Sequence, residues 1–365
     1  MIYIFRVILV NNFFKVILLV STAFLFFGCA DKNEKDENEL SFPGRPSVHL
    51  TAREIEPYNP VTEIKLSFIG DCTLATQLGD NHAGSFNWYA ENYDKEYFFE
   101  KVYPYTSNDD FTIANCENVF TDYALPETYK GYYPAFWFRS PSRNAEIFSA
   151  GDVEVVTVAN NHTFDYNEEG MNDTIKAIES VDGLEWGGTD KDVILEKDDV
   201  KIGLICDTMW GDWEVDKIIE RIHRLEKTTD IQVVYFHGGE EAYHTEEYWK
   251  VQACHELARA GADLIVGAHP HVLQPFETYR GVHIVYSIGN FCFGGNTYPE
   301  NRTVVYQETF SFDRDRKKIV GREENIIPFY VFTGDINNFQ PAPIDDEYIA
   351  GQVTDFMYRK SDSLF

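Results

Sequence analysis

Two histidines separated by one proline stand directly after an apolar run. The run 264–266 leads through a Gly-Ala pair into His269, Pro270 and His271. In an extended segment, side chains two residues apart share a face, so both imidazoles could reach one metal ion or two adjacent ions. The proline fixes φ and removes an amide donor, which stiffens the segment. Because the chain has ten histidines, such a pair can also arise by chance, and its interpretation depends on comparable positions elsewhere.

A second group combines an amide, an imidazole and a carboxylate. Asn161 and His162 follow the apolar run 153–159, and Asp165 stands three residues after the histidine. An asparagine carbonyl can ligate a cation, and a histidine held by a carboxylate can donate a proton. The alternative is an Asx-rich turn that begins a helix, with its side chains capping backbone amides. Taken alone, this group does not decide between the two.

Three further strand-end residues have suitable chemistry. His237 follows the run 231–236 and precedes two glycines that permit close backbone approach, although a lone histidine there is more often a turn residue. Asp71 and Glu117 could supply the anionic ligands that neutralise a divalent ion, although each alone is simply a carboxylate at a strand end. The remaining candidates are set aside as first-choice ligands because they lack such surroundings: His82, His244, His255 and His283.

Nucleophilic serine chemistry is the main competing possibility, and the sequence disfavours it. The chain contains no G-x-S-x-G motif, and Ser287 lacks the flanking glycine of a nucleophile elbow. The Gly-Gly pairs match neither a phosphate-binding loop nor a dinucleotide fingerprint.

The elements that would position these residues alternate along the chain. Apolar runs predict strands at 64–69, 111–114, 153–159, 201–206, 231–236 and 263–266, and helical patterns predict helices at 168–181, 214–225 and 246–260. Alternation of this kind indicates an α/β protein with buried sheets. Ligands of open α/β sheets bind beyond the carboxyl ends of the strands, so we expect the polar strand-end residues to converge on one place.

Composition excludes two classes of protein. The chain has 31 Lys+Arg against 60 Asp+Glu, a net charge of −29, which is too acidic for a protein that holds nucleic acid by its phosphates. With 44% hydrophobic and 15% aromatic residues, it is not globally disordered. An acidic surface repels anionic polymers, so an anionic ligand would need a local cation such as a bound metal.

The start of the chain predicts export. Residues 16–27 are almost wholly apolar, too short a run for a membrane span but suited to a signal-peptide core. Gly28-Cys29 resembles a bacterial lipobox, with Phe26 where leucine is usual, and the alternative is an uncleaved anchor with an incidental cysteine. We predict a lipoprotein signal peptide at 1–28, a lipid-bearing Cys29, an acidic flexible tether at 29–62, a domain at 63–335 and a C-terminal extension at 336–365. In either case the body lies outside the cytoplasmic membrane.

The remaining cysteines are expected to be free and buried. Of six cysteines, five remain after Cys29, an odd number, and four of them stand in apolar stretches. This pattern is not that of a disulfide framework.

Several stretches, taken in order, resemble one known family. The chain resembles the bacterial capsule-synthesis CapA (PgsA, poly-γ-glutamate biosynthesis) family over about residues 64–310, and the matching motifs are 68–71, 114–117, 159–166 with Gly170, 236–243, 261–275 and 286–291. The family has the fold of the calcineurin-like metallophosphoesterases. The resemblance therefore implies a four-layer α/β/β/α sandwich of the metallo-dependent phosphatase type, with one or two divalent ions, such as Mn, Zn or Fe, above the strand ends.

The resemblance also implies roles for individual residues. One metal position would consist of Asp71, Glu117 and His271. The other would consist of Glu117, Asn161, His237 and His269, with Glu117 bridging the two. His162, oriented by Asp165, would be the general acid.

Three departures bear on activity. Thr73 stands where the first motif of the phosphoesterases has a second ligand histidine, and Glu117 replaces an aspartate. His237 is followed directly by Gly238, without the aromatic residue often found between them. The first metal position is therefore weaker, and phosphatase activity does not follow from the resemblance alone.

Two functions remain open. The first is a metal-dependent hydrolase that acts on a phosphoester or amide bond of an extracytoplasmic polymer. The second is a non-catalytic lipoprotein that helps assemble, bind or export an anionic capsule polymer, poly-γ-glutamate or a polysaccharide, together with membrane-bound synthesis machinery. The threonine at position 73 favours the second somewhat.

Overall fold

A computed structural model describes residues 59–131, 133–294 and 301–364 of the chain. The predicted signal peptide, Cys29 and the predicted tether up to residue 58 lie outside the described residues. Within the part that is described, no helix has the combined length and apolar character that crossing a membrane requires.

The described residues form strands and helices in alternation along the chain. The strands are β1 (Val61–Thr73), β2 (Thr76–Gln77), β3 (Phe111–Cys116), β4 (Val119–Phe120), β5 (Phe138–Ser140), β6 (Val155–Thr157), β7 (Glu185–Gly187), β8 (Val193–Lys197), β9 (Val200–Thr208), β10 (Ile231–His237), β11 (Leu264–Ala268), β12 (Leu273–Tyr279), β13 (Val282–Ile288), β14 (Asn290–Phe293), β15 (Arg302–Asp313), β16 (Lys318–Tyr330) and β17 (Ala342–Pro343). The helices are α1 (Phe86–Asn92), α2 (Tyr103–Thr106), α3 (Glu146–Ala150), α4 (Asn167–Glu179), α5 (Val215–Leu225), α6 (Tyr248–Arg259) and α7 (Glu347–Met357). All predicted strands and helices are confirmed, with ends that differ by at most four residues.

The strands build two large sheets and one small one. The first sheet has the order β17-β16-β15-β1-β3-β6-β7, with β14 also paired to β1, and the second has the order β12-β13-β11-β10-β9-β8. A small sheet contains β2, β5 and β4. In the first sheet β1, β3 and β6 run parallel, as do β9, β10 and β11 in the second. The carboxyl ends of each parallel set therefore lie at one edge of its sheet.

Alternating side chains along the strands place the two sheets face to face. Phe68 of β1 and Tyr235 of β10 belong to one buried cluster between the sheets, and their rings meet edge to face with centroids 6.0 Å apart. The opposite face of the first sheet packs on α1, α3 and α4 through Ile69 and its neighbours. The opposite face of the second sheet packs on α5 and α6 through Val234 and its neighbours. The predicted four-layer α/β/β/α sandwich of the metallo-dependent phosphatase type is therefore confirmed.

Local sequence explains the helix that precedes β11. In α6 the buried positions Ala253 and Leu257 are four residues apart and face the second sheet. Gly261 has a φ of 114°, a left-handed conformation that glycine adopts without steric cost, so the chain can turn after α6 and enter β11.

The C-terminal segment adds to the first sheet and to the core between the sheets. β17 pairs with β16, and α7 begins after Asp346, whose carboxylate accepts hydrogen bonds from the amides of Tyr348 and Ile349. Val353 and Phe356 of α7 join the buried cluster between the sheets.

The described cysteines are free, and each is buried, as predicted: Cys72, Cys116, Cys206, Cys254 and Cys292. Burial raises the pKa of the Cys116 thiol to about 12, so this sulfur is protonated and unreactive at neutral pH.

The carboxyl group of Glu154, just before β6, makes native stability depend on pH. It accepts a hydrogen bond from the Thr112 amide at 2.7 Å. Burial raises the pKa of this carboxyl group from 4.5 to about 7. The hydrogen bond from Thr112 lowers the pKa by less than burial raises it, and the charge of Asp109 raises it further. The native state therefore binds the proton more tightly than the unfolded state. Its contribution to stability is fully present below pH 4.5 and is lost as the pH rises through 7.

We expect Glu154→Gln, which keeps an acceptor oxygen but cannot ionise, to raise the melting temperature at pH 8 and to leave it unchanged at pH 4. Thermal unfolding followed by circular dichroism at the two pH values measures this. The matched control is Glu63→Gln, at an exposed position of β1, which should show no such difference. A lower melting temperature of Glu154→Gln at pH 8 would contradict the assignment.

Candidate metal centre

The predicted site residues lie together where the parallel strands end. Asp71 belongs to β1 and stands beside Asn115 of β3 and Asn290 of β14 in the sheet register. Gly70 allows this close pairing, because a Cβ atom there would lie 1.9 Å from the carbonyl oxygen of Gly289. The Asp71 amide donates to the same carbonyl at 3.0 Å. This glycine therefore lets the carboxylate of Asp71 enter the site.

The two histidines after β11 reach the site by a turn and not by an extended segment. His269 and His271 have φ angles of 96° and 59°, in the left-handed region that costs energy for residues with a side chain. The expectation of an extended segment is wrong. Hydrogen bonds hold the turn: the His269 amide donates to Asp71 Oδ2 at 3.1 Å, and the Ala242 amide donates to the Pro270 carbonyl at 2.8 Å. The two rings nonetheless lie near each other, with centroids 5.6 Å apart.

Glu117 is the centre of the arrangement. Ligand atoms of Glu117, His269 and His271 all lie within 4.8 Å of one another. The Glu117 side chain is fully buried, and within the described part of the chain neither of its carboxylate oxygens has a hydrogen-bond partner. An ionised carboxylate buried in this way is unfavourable unless a cation neutralises it. The residues present therefore fit a divalent cation.

The other predicted ligands stand around this carboxylate. His237 Nε2 lies 2.8 Å from Asn161 Oδ1, 3.0 Å from His269 Nδ1 and 3.6 Å from Glu117 Oε1. On the other side, His271 Nδ1 lies 3.3 Å from Asp71 Oδ2, and His271 Nε2 lies 3.9 Å from Glu117 Oε1. The structure thus brings both predicted ligand groups together with Glu117 between them. Their role as metal ligands stays a prediction.

Thr73 occupies a supporting place. Its side chain is fully buried, and its hydroxyl donates to the backbone carbonyl of Glu117 at 3.3 Å. A histidine at this position would offer a ligand atom, whereas the threonine holds the chain that carries Glu117. The predicted first metal position therefore gains no imidazole from residue 73.

His162 lies beside the carboxylate, oriented as predicted. Its Nδ1 atom is 2.8 Å from Asp165 Oδ2, and its Nε2 atom is 4.0 Å from Glu117 Oε1. The Asx turn also exists, but Asn160 forms it: its Oδ1 accepts from the His162 amide at 3.0 Å. The segment therefore contains an Asx turn and a histidine paired with a carboxylate. The role of His162 as a proton donor stays a prediction.

Several residues of the site could not be found from strand-end chemistry. Lys130 Nζ lies 2.5 Å from Asp165 Oδ1 and 3.4 Å from His162 Nδ1, although it comes from a segment without apolar periodicity. Asn290 Oδ1 lies 2.8 Å from His271 Nδ1, and Asn115 Nδ2 donates to Asp71 Oδ1 at 2.7 Å. Asn115 and Asn290 are polar residues near strand ends, so the sequence offered a signal for these two, whereas it offered none for Lys130.

Burial sets the charge of the imidazoles. Burial and neighbouring imidazoles lower the pKa of His237 and His269 well below the usual value, which keeps both neutral, as metal ligands must be. Burial also lowers the pKa of His162, and Asp165 opposes this. For His271, burial lowers the pKa, but the charges of Glu117 and Asp71 outweigh it and raise the value to about 10. Burial and the charge of Asp71 raise the pKa of Glu117.

Aromatic rings surround the polar groups. The Trp210 ring meets His269 edge-on with centroids 4.8 Å apart, the Phe138 ring lies 4.8 Å from His162, and the Phe293 ring lies 5.1 Å from His271. Such walls lower the local dielectric constant and strengthen electrostatic interactions inside the site.

The histidines that were set aside interact elsewhere. His244 contacts the Leu273 carbonyl, His255 contacts Glu277, and His283 contacts Glu308, while His82 is exposed.

Comparison with known proteins shows the family of this chain. The family profile described as bacterial capsule synthesis protein PGA_cap matches residues 65–295. The chain belongs to this family. The resemblance seen in the sequence is confirmed.

Individual relatives are more distant. The chain is 27% identical over 301 residues to the PGA biosynthesis protein CapA of Bacillus subtilis. This alignment covers 76% of this chain and 75% of that protein. It is 29% identical over 259 residues to the capsule biosynthesis protein CapA of Bacillus anthracis. This alignment covers 63% of this chain and 60% of that protein. A crystal structure described as a novel phosphatase from Mycoplasma pneumoniae has 16% identity and a TM-score of 0.43, and covers 73% of this chain and 94% of that one.

Glu117→Gln tests whether the buried carboxylate is held for a cation. The amide has the same shape without the charge, so we expect the metal-free variant, in EDTA, to melt no lower than the wild type. We expect Mn²⁺ to raise the melting temperature of the wild type but not of the variant, because a ligand that binds only the native state stabilises it.

The matched control for this experiment is Glu308→Gln. Glu308 is also fully buried, and one of its carboxylate oxygens accepts no hydrogen bond in the described structure, but it lies beside His283 and Arg322, away from the site. This variant should keep the Mn²⁺-dependent rise. An unchanged rise in Glu117→Gln would remove Glu117 from the ligands.

Proposed function

We propose that this chain is a metal-dependent hydrolase that acts on an extracytoplasmic capsule polymer. The observation that carries the proposal is the buried Glu117 carboxylate, unpartnered within the described structure, between two groups of ligand-type side chains. His162 beside it gives the site a proton-transfer group.

Each residue has a distinct task in this proposal. Glu117, Asn161, His237 and His269 would hold one divalent ion, and Asp71, Glu117 and His271 would hold the weaker position. A divalent ion bound there polarises a phosphoryl or carbonyl oxygen and lowers the pKa of coordinated water. Because Asp165 occupies Nδ1 of His162, Nε2 is the atom left to give a proton to a leaving group. Lys130 shares the Asp165 carboxylate and so fixes its position.

Family membership supports a capsule polymer as the partner. The names of the two Bacillus relatives refer to PGA biosynthesis and to capsule biosynthesis. For this chain we propose an anionic polymer, poly-γ-glutamate or a polysaccharide, handled together with membrane-bound synthesis machinery. With a net charge of −29, the chain would hold such a polymer through the bound metal and not through a basic surface.

A non-catalytic role is the second candidate. Thr73 supports the Glu117 backbone where a further ligand histidine would stand. With one ligand fewer, the site could retain a metal that binds or orders the polymer without cleaving it. The protein would then be an assembly or export component.

Substitutions of His162 and His269 distinguish the hydrolase from the non-catalytic scaffold. We expect His162→Ala to keep its bound metal, measured by elemental analysis, and to lose about 10²–10⁴-fold in turnover, the usual share of general acid catalysis. Bis(p-nitrophenyl) phosphate serves as the probe substrate. His269→Ala should lose metal as well as turnover.

The same two variants are compared for capsule formation in a strain that lacks the native protein. If both fail while His162→Ala stays folded and metallated, proton transfer is required. If only His269→Ala fails, the hydrolase is excluded and the scaffold is supported. Wild-type protein that holds no divalent ion when metal is supplied in excess would exclude both.

Location requires its own experiment. We propose a lipoprotein anchored through Cys29, because a short apolar core ends at Gly28-Cys29 and a polar stretch follows. Cys29→Ser should leave the precursor unprocessed or release the protein from the membrane fraction. Fractionation followed by immunoblotting measures this, and Cys254→Ser, at a buried position, is the control. Unchanged processing and unchanged membrane association would exclude lipid attachment at this residue.

A further inference from the structure

A fully buried lysine packs against the loop that follows His237. Lys250 belongs to α6, and its side chain has no exposed surface. Its Nζ atom lies 2.7 Å from Glu247 Oε2 and donates to Gln274 Oε1 at 2.9 Å. Burying an ammonium group is costly, and lysine is rarely found fully buried unless it is paired. The two contacts therefore specify a defined place for this charge.

The lysine explains the second of the two glycines after His237. Gly239 has a φ of 112°, and a Cβ atom there would lie 2.1 Å from Lys250 Nζ. A Cβ atom at Gly238 would lie 1.9 Å from the Met209 carbonyl oxygen. The Gly-Gly pair therefore lets the backbone pack closely against two other parts of the chain, the amine of Lys250 and the carbonyl of Met209 just after β9.

Both partners of the lysine hold the loop 238–245. Glu247 Oε1 accepts from the Glu240 amide at 2.5 Å, near the start of the loop. Gln274 Nε2 donates to the Tyr243 carbonyl at 2.8 Å, near its end. One ammonium group therefore links two side chains that fix the loop at separate points.

The same loop is bonded to the segment that carries the other two histidines. The Gly238 amide donates to the Ala268 carbonyl at 3.1 Å, and the Ala242 amide donates to the Pro270 carbonyl at 2.8 Å. His244 Nδ1 lies 2.9 Å from the Leu273 carbonyl oxygen. The loop consequently joins His237 to the left-handed turn at His269 and His271. The unfavourable backbone of that turn needs such support.

We propose that Lys250 is a positioning residue of the metal centre. Together with Glu247 and Gln274 it fixes the loop that holds His237 in place relative to His269 and His271, and so sets the affinity and geometry of metal binding without contacting the ion. This inference rests on the proposed metal site.

The test uses Co²⁺ as the probe, in the full chain, because its visible absorption reports coordination geometry. Lys250→Met fills similar space without the charge. We expect Co²⁺ affinity to fall by about 10- to 100-fold, as for other residues that orient ligands, and the absorption spectrum to change shape. Gln274→Met removes the other end of the link and should change the spectrum in the same direction. The double variant should lose less than the sum of the two single losses, because the two residues act together.

The matched control is Lys217→Met. Lys217 lies on α5 and also contacts two carboxylates, Asp207 Oδ1 at 3.0 Å and Glu214 Oε1 at 2.9 Å, but it does not touch the histidine loop. It should keep wild-type affinity and spectrum even if its melting temperature falls. If Lys250→Met does not fold, Gln274→Met alone decides.

Three results overturn the proposal. Wild-type affinity and spectrum in the folded Lys250→Met, or in Gln274→Met where only that variant folds, exclude the positioning role while leaving the metal site intact. Equal losses in Lys217→Met attribute the effect to general destabilisation. A wild-type protein that binds no Co²⁺ refutes the metal site itself, and this inference with it.

Discussion

Burial of the Glu117 carboxylate is the constraint on which the site depends. A charge removed from water, with no hydrogen-bond donor within reach among the described residues, destabilises a fold unless a cation is bound beside it. Burial and nearby positive charge keep His237 and His269 neutral. His271, whose pKa the two carboxylates raise to about 10, offsets only one of the two charges of Asp71 and Glu117. Glu117 follows β3, which lies between β1 and β6 in the middle of a sheet, and its side chain is fully buried there.

Around that residue, the supporting groups are polar but uncharged. Asn115, Asn160 and Thr73 satisfy one another and the backbone, and so keep Asp71 and Glu117 in place without adding charge. Among the described residues, Lys130 at Asp165 and Lys250 at Glu247 add charged contacts near the site. Each ammonium group pairs with a carboxylate that is not itself a predicted metal ligand.

Much of this arrangement could be predicted from the sequence, because strand ends carry a local signal. Apolar runs followed at once by Asp71, Glu117 or His237 specify both a strand and the residue at its carboxyl end. The left-handed turn at His269 and His271 could not be predicted, because its support comes from Asp71 and from Ala242, both distant in sequence. Lys130 was missed for the same reason, since only tertiary contacts bring it to Asp165. The two glycines after His237 predict close backbone approach, but the sequence does not show that Gly238 lies against the Met209 carbonyl and Gly239 against a buried lysine on a helix.

The ligand-type residues are divided between the two sheets. Asp71, Glu117 and Asn161 follow strands of the first sheet, whereas His237, His269 and His271 follow strands of the second. An ion shared by these groups would join the two sheets at the carboxyl ends of their parallel strands. It would act there as a disulfide between two sheets acts in other proteins. The described cysteines are all free, so none of them forms such a link. Removal of the ion would then release the two halves of the sandwich at this edge first, and metal supply would govern how firmly the two sheets stay joined there.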